Sequence, residues 1–408
     1  MSGRAAGQTV TARASSDLLI DRERLSTLLG RQVRTTRLRF KPGLSTSAVL
    51  LTAGQDDPGW IQVSHPGHTD KLRKAVELAG ERGQQVHVLQ DGELTLAHGT
   101  IDTDPRLQKG LDALRPVHAS VSEAVAAGRL SVLRYNPQRR LVLRRDVTAG
   151  DPLVLRVTAE KQVGVHASLR DLAAAGVPVV EPVRDDVRRR SRRVTVWPWF
   201  GQGDLATVDA SVVETAGPAA GAALARLHGS AVAAEPVLDT VVALSRQVWD
   251  VVDLDPGAGE RLHALTAAVA ERIGSGRWAT GHVHGDFSAD QVLVGRDHED
   301  PVRLTDFDRS GRARLAGDLG SFAAAELLAG SREGDQAWPG VDALPLTRAM
   351  LAGYTQAGGA GQPLTDPDLR TWVARALLTR VTEPFRAADP DWLAGIHRRL
   401  DQVQAVLG

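Results

Sequence analysis

Apolar and β-branched residues gather around Pro, Gly and Asn turns in two separated stretches of the chain, and the two stretches resemble each other. Leu38-Arg39-Phe40-Lys41-Pro42 leads to Leu51-Thr52-Ala53-Gly54 and then to the apolar run Trp60-Ile61-Gln62-Val63. Leu133-Arg134-Tyr135-Asn136-Pro137 leads to Val147-Thr148-Ala149-Gly150 and then to Leu153-Val154-Leu155-Arg156-Val157. Each stretch predicts meandering strands, and the pair predicts a repeated sheet element; the alternative is two unrelated hairpins that match by chance. Leu107, Leu111, Leu114, Val121 and Val125 recur at helical spacing and predict a helix over 104–128. A second, amphipathic helix is expected over 162–175, closed by Gly176. Val179–Val183 and Arg193–Trp197 read as two more strands, with the basic run 188–193 as a solvated turn between them. Beyond Phe200-Gly201 the pattern turns helical, most clearly over Ala219–His228, and again from Ser245, Gly259, Leu315, Leu346 and Pro367. Residues 291–294 and 302–305 interrupt it as a small hairpin around the polar turn Asp297-His298-Glu299-Asp300-Pro301.

A chain of 408 residues is long enough for two or three domains with ample core. Net charge is zero, so no global field favours nucleic acid or an anionic membrane. Cysteine is absent, which excludes disulfides, thiolate metal sites and cysteine nucleophiles. The first residues lack the apolar core of a signal peptide, and no stretch reaches the length of a membrane span, so a cytoplasmic protein is expected. Lysine occurs only at 41, 71, 74, 109 and 161, and arginine carries the remaining positive charge. Beyond residue 109, Lys161 is therefore the one lysine for any phosphate.

The candidate chemistry lies in His284-Gly285-Asp286-Phe287-Ser288-Ala289-Asp290-Gln291, followed by Leu304-Thr305-Asp306-Phe307-Asp308. Phosphoryl transfer from a nucleotide needs one carboxylate aimed at an acceptor hydroxyl and oxygen ligands that hold Mg²⁺ against the phosphates. Asp286 suits the first role, and Gln291 and Asp306 suit the second. Gly285 permits an unusual backbone angle beside the aspartate, and His284 is expected to orient the loop. A metal pair of His282 and His284 lacks a third ligand.

These residues, with Asp318-Leu319-Gly320 and the helix end Ala225-Arg226-Leu227-His228, resemble the aminoglycoside phosphotransferase and choline kinase superfamily, from roughly Leu130 to the C-terminus. The resemblance implies an α+β, protein-kinase-like two-lobe fold with an N-terminal α/β cap subdomain. The expected segments are 1–115 as the cap, 116–200 as the N-lobe with an antiparallel sheet and one helix, and 201–408 as a helical C-lobe with the catalytic and metal loops. It implies ATP and Mg²⁺ as cofactors, Asp286 as base, Asp306 and Gln291 as metal ligands, and Asp318 as a brace for the loops. Gln291 departs from the family's asparagine, although its amide oxygen still suits a hard cation. Arg156 stands where the family has its phosphate-binding lysine, with Lys161 as the alternative, and arginine is not a neutral exchange. The helix that follows offers no glutamate to pair with it; Asp171 is its sole acid. Arg139 and Arg140 occupy the phosphate-covering turn, and Trp197 and Trp199 lie on the segment expected to meet adenine. Asp290, Asp308 and Glu326 are expected near the acceptor, with Trp249, Glu383, Arg386 and Trp392 as further candidates. The cap is similar to that of capped bacterial sugar kinases of the maltokinase and glucosamine kinase type.

The expected function is transfer of the γ-phosphoryl group of ATP to a hydroxyl of a small molecule: a sugar, an amino sugar or an aminoglycoside-like acceptor. No nucleic-acid or membrane partner is expected, and the chain is expected as a monomer or homodimer. The alternative is a non-catalytic kinase-like module that binds a nucleotide or metabolite. A protein-hydroxyl kinase is disfavoured, because the short stretch between Asp308 and Asp318 cannot form a substrate-docking activation segment.

Overall fold

A computed structural model describes residues 14–147, 150–237, 251–297, 299–330, 338–359 and 364–408. Thr148 and Ala149 of the second repeat, the start of the helix expected at Ser245, Trp249 and His298 lie outside the described residues.

The first sheet follows helix α1 (Arg22–Leu29) and contains β1 (Val33–Lys41), β2 (Ser45–Thr52), β3 (Gly59–Ser64), β4 (His87–Asp91) and β5 (Leu94–Thr100), with α2 (Asp70–Gly80) between β3 and β4. Its order is β1-β2-β3-β5-β4, antiparallel throughout. After two short helices, α3 (Gln108–Leu111) and α4 (Val121–Ala126), the second sheet contains β6 (Leu130–Asn136), β7 (Arg140–Arg145), β8 (Leu153–Thr158) and β9 (Val194–Pro198). Between β8 and β9 lie α5 (Val165–Ala174) and α6 (Asp186–Arg190).

The two meanders match rung by rung. In the first, Arg39 faces Ser47, which faces Gln62; in the second, Arg134 faces Val142, which faces Arg156. A register shift sits just before Arg39 and just before Arg134. The turns match as well: Pro42-Gly43 has Gly43 at φ 66°, and Pro137-Gln138 has Gln138 at φ 61°.

Three expectations change. The helix expected over 104–128 is two short helices, α3 and α4, because Pro116 has no N–H to donate and disfavours helical backbone at the residue before it. The buried Asp102 then accepts from the Ser120 hydroxyl and from the Val121 and Ser122 amides, which starts α4. Residues 179–183 are not a strand; Val179 makes a single parallel bridge to Leu304, and the Val183 amide donates to Val196. Pro178 and Pro182 remove the donors that a ladder would need. Asp185 caps α6 through the Val187 amide, so part of the basic run is helical rather than a plain turn.

The remaining chain is mainly helical. It contains α7 (Ala210–His228), α8 (Gly259–Ser275), α9 (Ala316–Gly330), α10 (Pro345–Gln356), α11 (Asp366–Leu378), α12 (Glu383–Ala387) and α13 (Trp392–Leu407). Short strands β10 (Gly203–Asp204), β11 (Thr280–Val283), β12 (Val292–Val294), β13 (Val302–Leu304) and β14 (Gly311–Arg314) are set among them. Leu38, Leu50, Ile61 and Val63 share one apolar cluster with these helices, whereas Val49, Trp60 and Ala97 share another with Leu141, Leu143, Leu155 and Val157 of the second sheet. The first sheet is therefore tied to both neighbours by burial. Among the described residues no helix is long and apolar enough to cross a membrane.

Candidate active site

Two loops carry the sequence motifs, one between β11 and β12 and the other between β13 and β14. β11 pairs with β14, placing Val283 opposite Gly311. β12 pairs with β13, placing Val292 opposite Leu304. Each loop therefore begins and ends against the other. The His284 Nε2–H donates to the Thr305 carbonyl at 2.7 Å, and the Thr305 amide donates to the Gln291 carbonyl at 3.0 Å. The Ser310 hydroxyl donates to the Val283 carbonyl at 2.9 Å. Gly285 has φ 84°, and a Cβ there would lie 2.1 Å from the Arg309 carbonyl oxygen, so no other residue fits.

Asp318, in the first turn of α9, ties the first loop from beneath. Its carboxylate accepts the His284 amide at 2.7 Å and the Gly285 amide at 2.8 Å, and it meets His228 Nε2 at 3.1 Å. His228 in turn contacts the Tyr354 hydroxyl through Nδ1 at 2.8 Å. Burial alone would raise the Asp318 carboxyl, but the hydrogen bond and charge of His228 lead the contacts that hold it below the ordinary carboxylate range.

The second loop carries backbone strain. Asp306 lies in the left-handed region at φ 60°, ψ 55°, a conformation that costs about 1–2 kcal/mol for a residue with a Cβ. Its carboxylate is gripped by two strands of the second sheet. Arg140 Nη1 donates to both oxygens, at 3.1 and 3.0 Å, and Arg156 Nη1 reaches Oδ1 at 3.4 Å. The same two arginines pair with Asp308. Burial would raise the Asp306 carboxyl, but Arg140 and Arg156 overcome it and hold the pKa low. The partner that helix α5 does not give to Arg156 is thus supplied by the loop of Asp306 and Asp308. Asp171 on α5 is exposed, as is Lys161 beyond the end of β8.

Asp286 is partly exposed and pairs with Arg309 Nη1 at 3.3 Å. Gln291 is buried, and its amide nitrogen donates to Asp290 at 3.2 Å, which leaves its amide oxygen without a hydrogen bond. Asp290, on the exposed side, also accepts from the Ser288 hydroxyl. Asp306 and Gln291 carry oxygen atoms of the kind a hard divalent cation takes. Arg140 and Arg156 now occupy the Asp306 carboxylate, however, and among the described residues no group of three or more carboxylates or histidines could hold a metal ion.

Other expected residues are placed differently. Glu326 on α9 accepts the Leu346 and Thr347 amides and the Thr347 hydroxyl, at 2.8, 2.7 and 2.6 Å. It therefore caps the first turn of α10. Trp392 is 3 % exposed and packs edge-on against Phe385, so its ring belongs to the core. Trp197 pairs with Val154 in the sheet, and the Trp199 amide donates to the Pro152 carbonyl at 2.8 Å, so that donor is not free for a base. The Trp199 ring carries the Arg144 guanidinium 4.8 Å from its centroid. The sequence reading missed Arg309. Its place in Asp306-Phe307-Asp308-Arg309, beside the motif, was the available signal.

A family model for the phosphotransferase enzyme family matches residues 123–345. The chain is similar to the amicoumacin kinase hAmiN, whose structure is in complex with AMP-PNP, Ca²⁺ and Ami. The two are 14 % identical over 71 % of this chain and 95 % of that chain, with a TM-score of 0.51. It is similar to a thermostable mutant of aminoglycoside phosphotransferase APH(4)-Ia in its apo form, at 14 % identity over 72 % and 97 % of the two chains, with a TM-score of 0.50. A choline/ethanolamine kinase family protein from Mesorhizobium loti is 20 % identical over 73 % of this chain and 95 % of that chain, with a TM-score of 0.48. At such identities the first two show a shared fold. No curated protein matches the chain in sequence.

Proposed function

The chain belongs to the phosphotransferase enzyme family, and from that premise we propose that it moves the γ-phosphoryl group of ATP to a hydroxyl of a small molecule. Asp286 orients the acceptor hydroxyl and takes its proton as the acceptor oxygen bonds to the γ-phosphorus. The bond from that phosphorus to the β-γ bridging oxygen breaks, ADP leaves, and Asp286 returns the proton to solvent. Gln291 and Asp306 would hold Mg²⁺, which when bound supplies positive charge to the phosphate oxygens. Arg140 and Arg156 add charge from the second sheet, where they can pass from the loop aspartates to phosphate oxygens without moving to a new strand. The observation that carries this reading is the mutual lock of the two loops through His284, Thr305, Gln291 and Ser310. The similarity of the cap to capped sugar kinases belongs to the same proposal, with a polyhydroxylated acceptor.

An ADP-coupled assay with MgATP across a panel of sugars and aminoglycosides tests it. The expected result is turnover that Asp286→Asn lowers by roughly a thousandfold or more while the melting temperature stays within a few degrees. Absence of transfer to every acceptor overturns the proposal. The ion pairs on Asp306 favour one other reading, a module that binds nucleotide without catalysis. That reading is supported if ATP raises the melting temperature equally with and without Mg²⁺ and no acceptor turns over.

A further inference from the structure

We infer that Asp308 is a positioning residue: through one oxygen it anchors Arg140 and Arg156, so that Asp306 takes a divalent cation only together with the phosphates of a nucleotide. The inference rests on the phosphotransferase reading and concerns how that site is loaded.

Arg140 and Arg156 lie on adjacent strands. Arg140 faces Thr158 and Val142 faces Arg156, so the two arginines stand diagonally on one face of the sheet, within reach of a common partner. That partner comes from the loop between β13 and β14. Arg140 Nη1 donates to both Asp306 oxygens, at 3.1 and 3.0 Å, and to Asp308 Oδ2 at 3.3 Å. Arg156 Nη1 reaches Asp306 Oδ1 at 3.4 Å, while its Nη2 donates to the same Oδ2 of Asp308. Both guanidiniums therefore meet on a single oxygen of Asp308. Among the described residues neither arginine pairs with any other acid. The acids that flank the sheet are matched elsewhere: Asp146 accepts from Arg144, and Asp185 from Arg145.

The charges of the two arginines and two aspartates sum to zero. A divalent cation on Asp306 would meet the guanidiniums that already hold that carboxylate, and it would leave the cluster with positive charge in excess. Phosphate oxygens remove both obstacles. They give the guanidiniums new charge-assisted hydrogen bonds, and they neutralise the excess. Cation and polyphosphate thus each bind better in the presence of the other, and by reciprocity to the same extent. The exchange requires that Arg140 and Arg156 stay in place once they have released Asp306. Asp308 supplies that hold. It is the more exposed of the two carboxylates, 41 % against 23 %, and its grip on both arginines does not pass through Asp306. This role differs from the acceptor contact expected of Asp308 from the sequence, and the two roles part in the test.

The test uses the full chain and two binding measurements. Mn²⁺ alone, followed by loss of the paramagnetic resonance signal of the free ion, is expected to bind Arg140→Gln at least roughly tenfold more tightly than wild type, because one competitor for Asp306 is gone. AMP-PNP, titrated by calorimetry in Mg²⁺ and again in EDTA, is expected to bind wild type roughly tenfold or more tightly with the metal. Asp308→Asn leaves the cluster with one positive charge in excess and the arginines without their anchor, so the gain from Mg²⁺ is expected to fall below about threefold. Asp308→Glu is expected to restore it. In the ADP-coupled assay Asp308→Asn is expected to raise KM for ATP and to leave KM for the acceptor unchanged. Asp308→Ser repeats these measurements if the asparagine chain does not fold. The inference is overturned if Mn²⁺ alone binds wild type as tightly as Arg140→Gln, or if Asp308→Asn lowers the melting temperature and keeps the full gain from Mg²⁺, the mark of a merely structural residue. A rise in acceptor KM in place of ATP KM overturns it too. Each of these results leaves the phosphotransferase reading intact. A wild type that binds no AMP-PNP in Mg²⁺ loses that parent reading, and this one with it.

Discussion

The two meandering sheets share strand order, register shift and turn, yet they present different side chains at equivalent rungs. The second sheet places Arg140 and Arg156 on the Asp306 carboxylate. The first sheet has Ser45 at the rung of Arg140 and Gln62 at the rung of Arg156. Gln62 instead accepts the side-chain amide of Gln138, in the turn of the other meander. Asp104, which follows the first sheet, accepts the Gln138 amide at 2.7 Å and the Tyr135 hydroxyl at 2.8 Å. One backbone pattern has thus been given two uses. One copy brings charge to the site, and the other holds the turn from which that charge projects.

The sharpest way to break this contrast is to give the second sheet the first sheet's residue. Arg156→Gln is expected to lower kcat/KM roughly a hundredfold to a thousandfold, the range for losing one electrostatic donor at a transferring group, with a melting temperature within a few degrees of wild type. Steady-state kinetics with ATP and the acceptor found for the wild type checks it. A loss under threefold would show that the arginine rung is not what distinguishes the two copies.

The holding role predicts an effect of another kind. Asp104 is fully buried and accepts from Tyr135 and from the Gln138, Arg106 and Leu107 amides. Burial pushes its carboxyl up, and these four donors oppose that rise. Asp104→Asn turns an NH₂ group toward at least one backbone amide, which can only donate, whichever way the side chain is set, and is expected to cost about 2–3 kcal/mol of stability. Denaturant unfolding measures this, and KM for ATP should rise as the turn loosens. A change under about 0.5 kcal/mol would remove Asp104 as the clamp.

How far the sequence revealed this arrangement depended on where its parts lie along the chain. The two loops are legible because Asp286, Gln291, Asp306 and Asp318 fall within one short stretch at characteristic spacing, and short hairpins bring such stretches together. The repeat is legible because strand period and turn residues are local. Arg140 and Arg156 reach Asp306 only through tertiary packing, so no spacing announces that pairing. Glu326 and Trp392 show the complementary case. A carboxylate or an indole has the right chemistry for a ligand, but its partner, here the first turn of α10 or the ring of Phe385, is decided by packing that periodicity does not encode. The helix expected over 104–128 failed for a local reason: apolar spacing outweighed Pro116 in the reading, whereas the backbone obeys the proline.

A smaller effect separates the sheets by pH. Next to the edge strand β4 of the first sheet, His98 on β5 stacks on His87 of β4, with ring centroids 4.9 Å apart. Burial first, then the charges of His87 and Arg31, lower the His98 pKa to about 4. The unfolded chain binds a proton at His98 near pH 6.5, so stability is complete above that value. It is lost as pH falls from about 6.5 toward about 4. Water reaches part of the ring, so the expected loss is roughly 1–2 kcal/mol. His98→Phe should flatten the stability profile between pH 7 and pH 5, and hydrogen exchange should place the acid-sensitive opening in β4 and β5 rather than in β6–β9. A profile unchanged by the substitution would mean that His98 is not the titrating group.

The finest comparison is a single turn residue. The first meander turns at Gly43 and the second at Gln138, both with positive φ, and only glycine adopts that angle freely. Gln138→Gly would make the turns alike. It relieves about 1 kcal/mol of backbone strain, but it leaves the Gln62 amide oxygen without its donor, at a cost of about 1 kcal/mol or more. Glycine also adds freedom to the unfolded chain, which lowers stability further. The net change in stability is expected to be a loss within about 1 kcal/mol, with a threefold to tenfold rise in KM for ATP because Arg140, which grips Asp306, projects from the loosened turn. Denaturant unfolding and initial rates measure the two effects separately. A variant both more stable and equally tight for ATP would show that glutamine holds its strained angle for no benefit, and that the first sheet supports the second by burial alone.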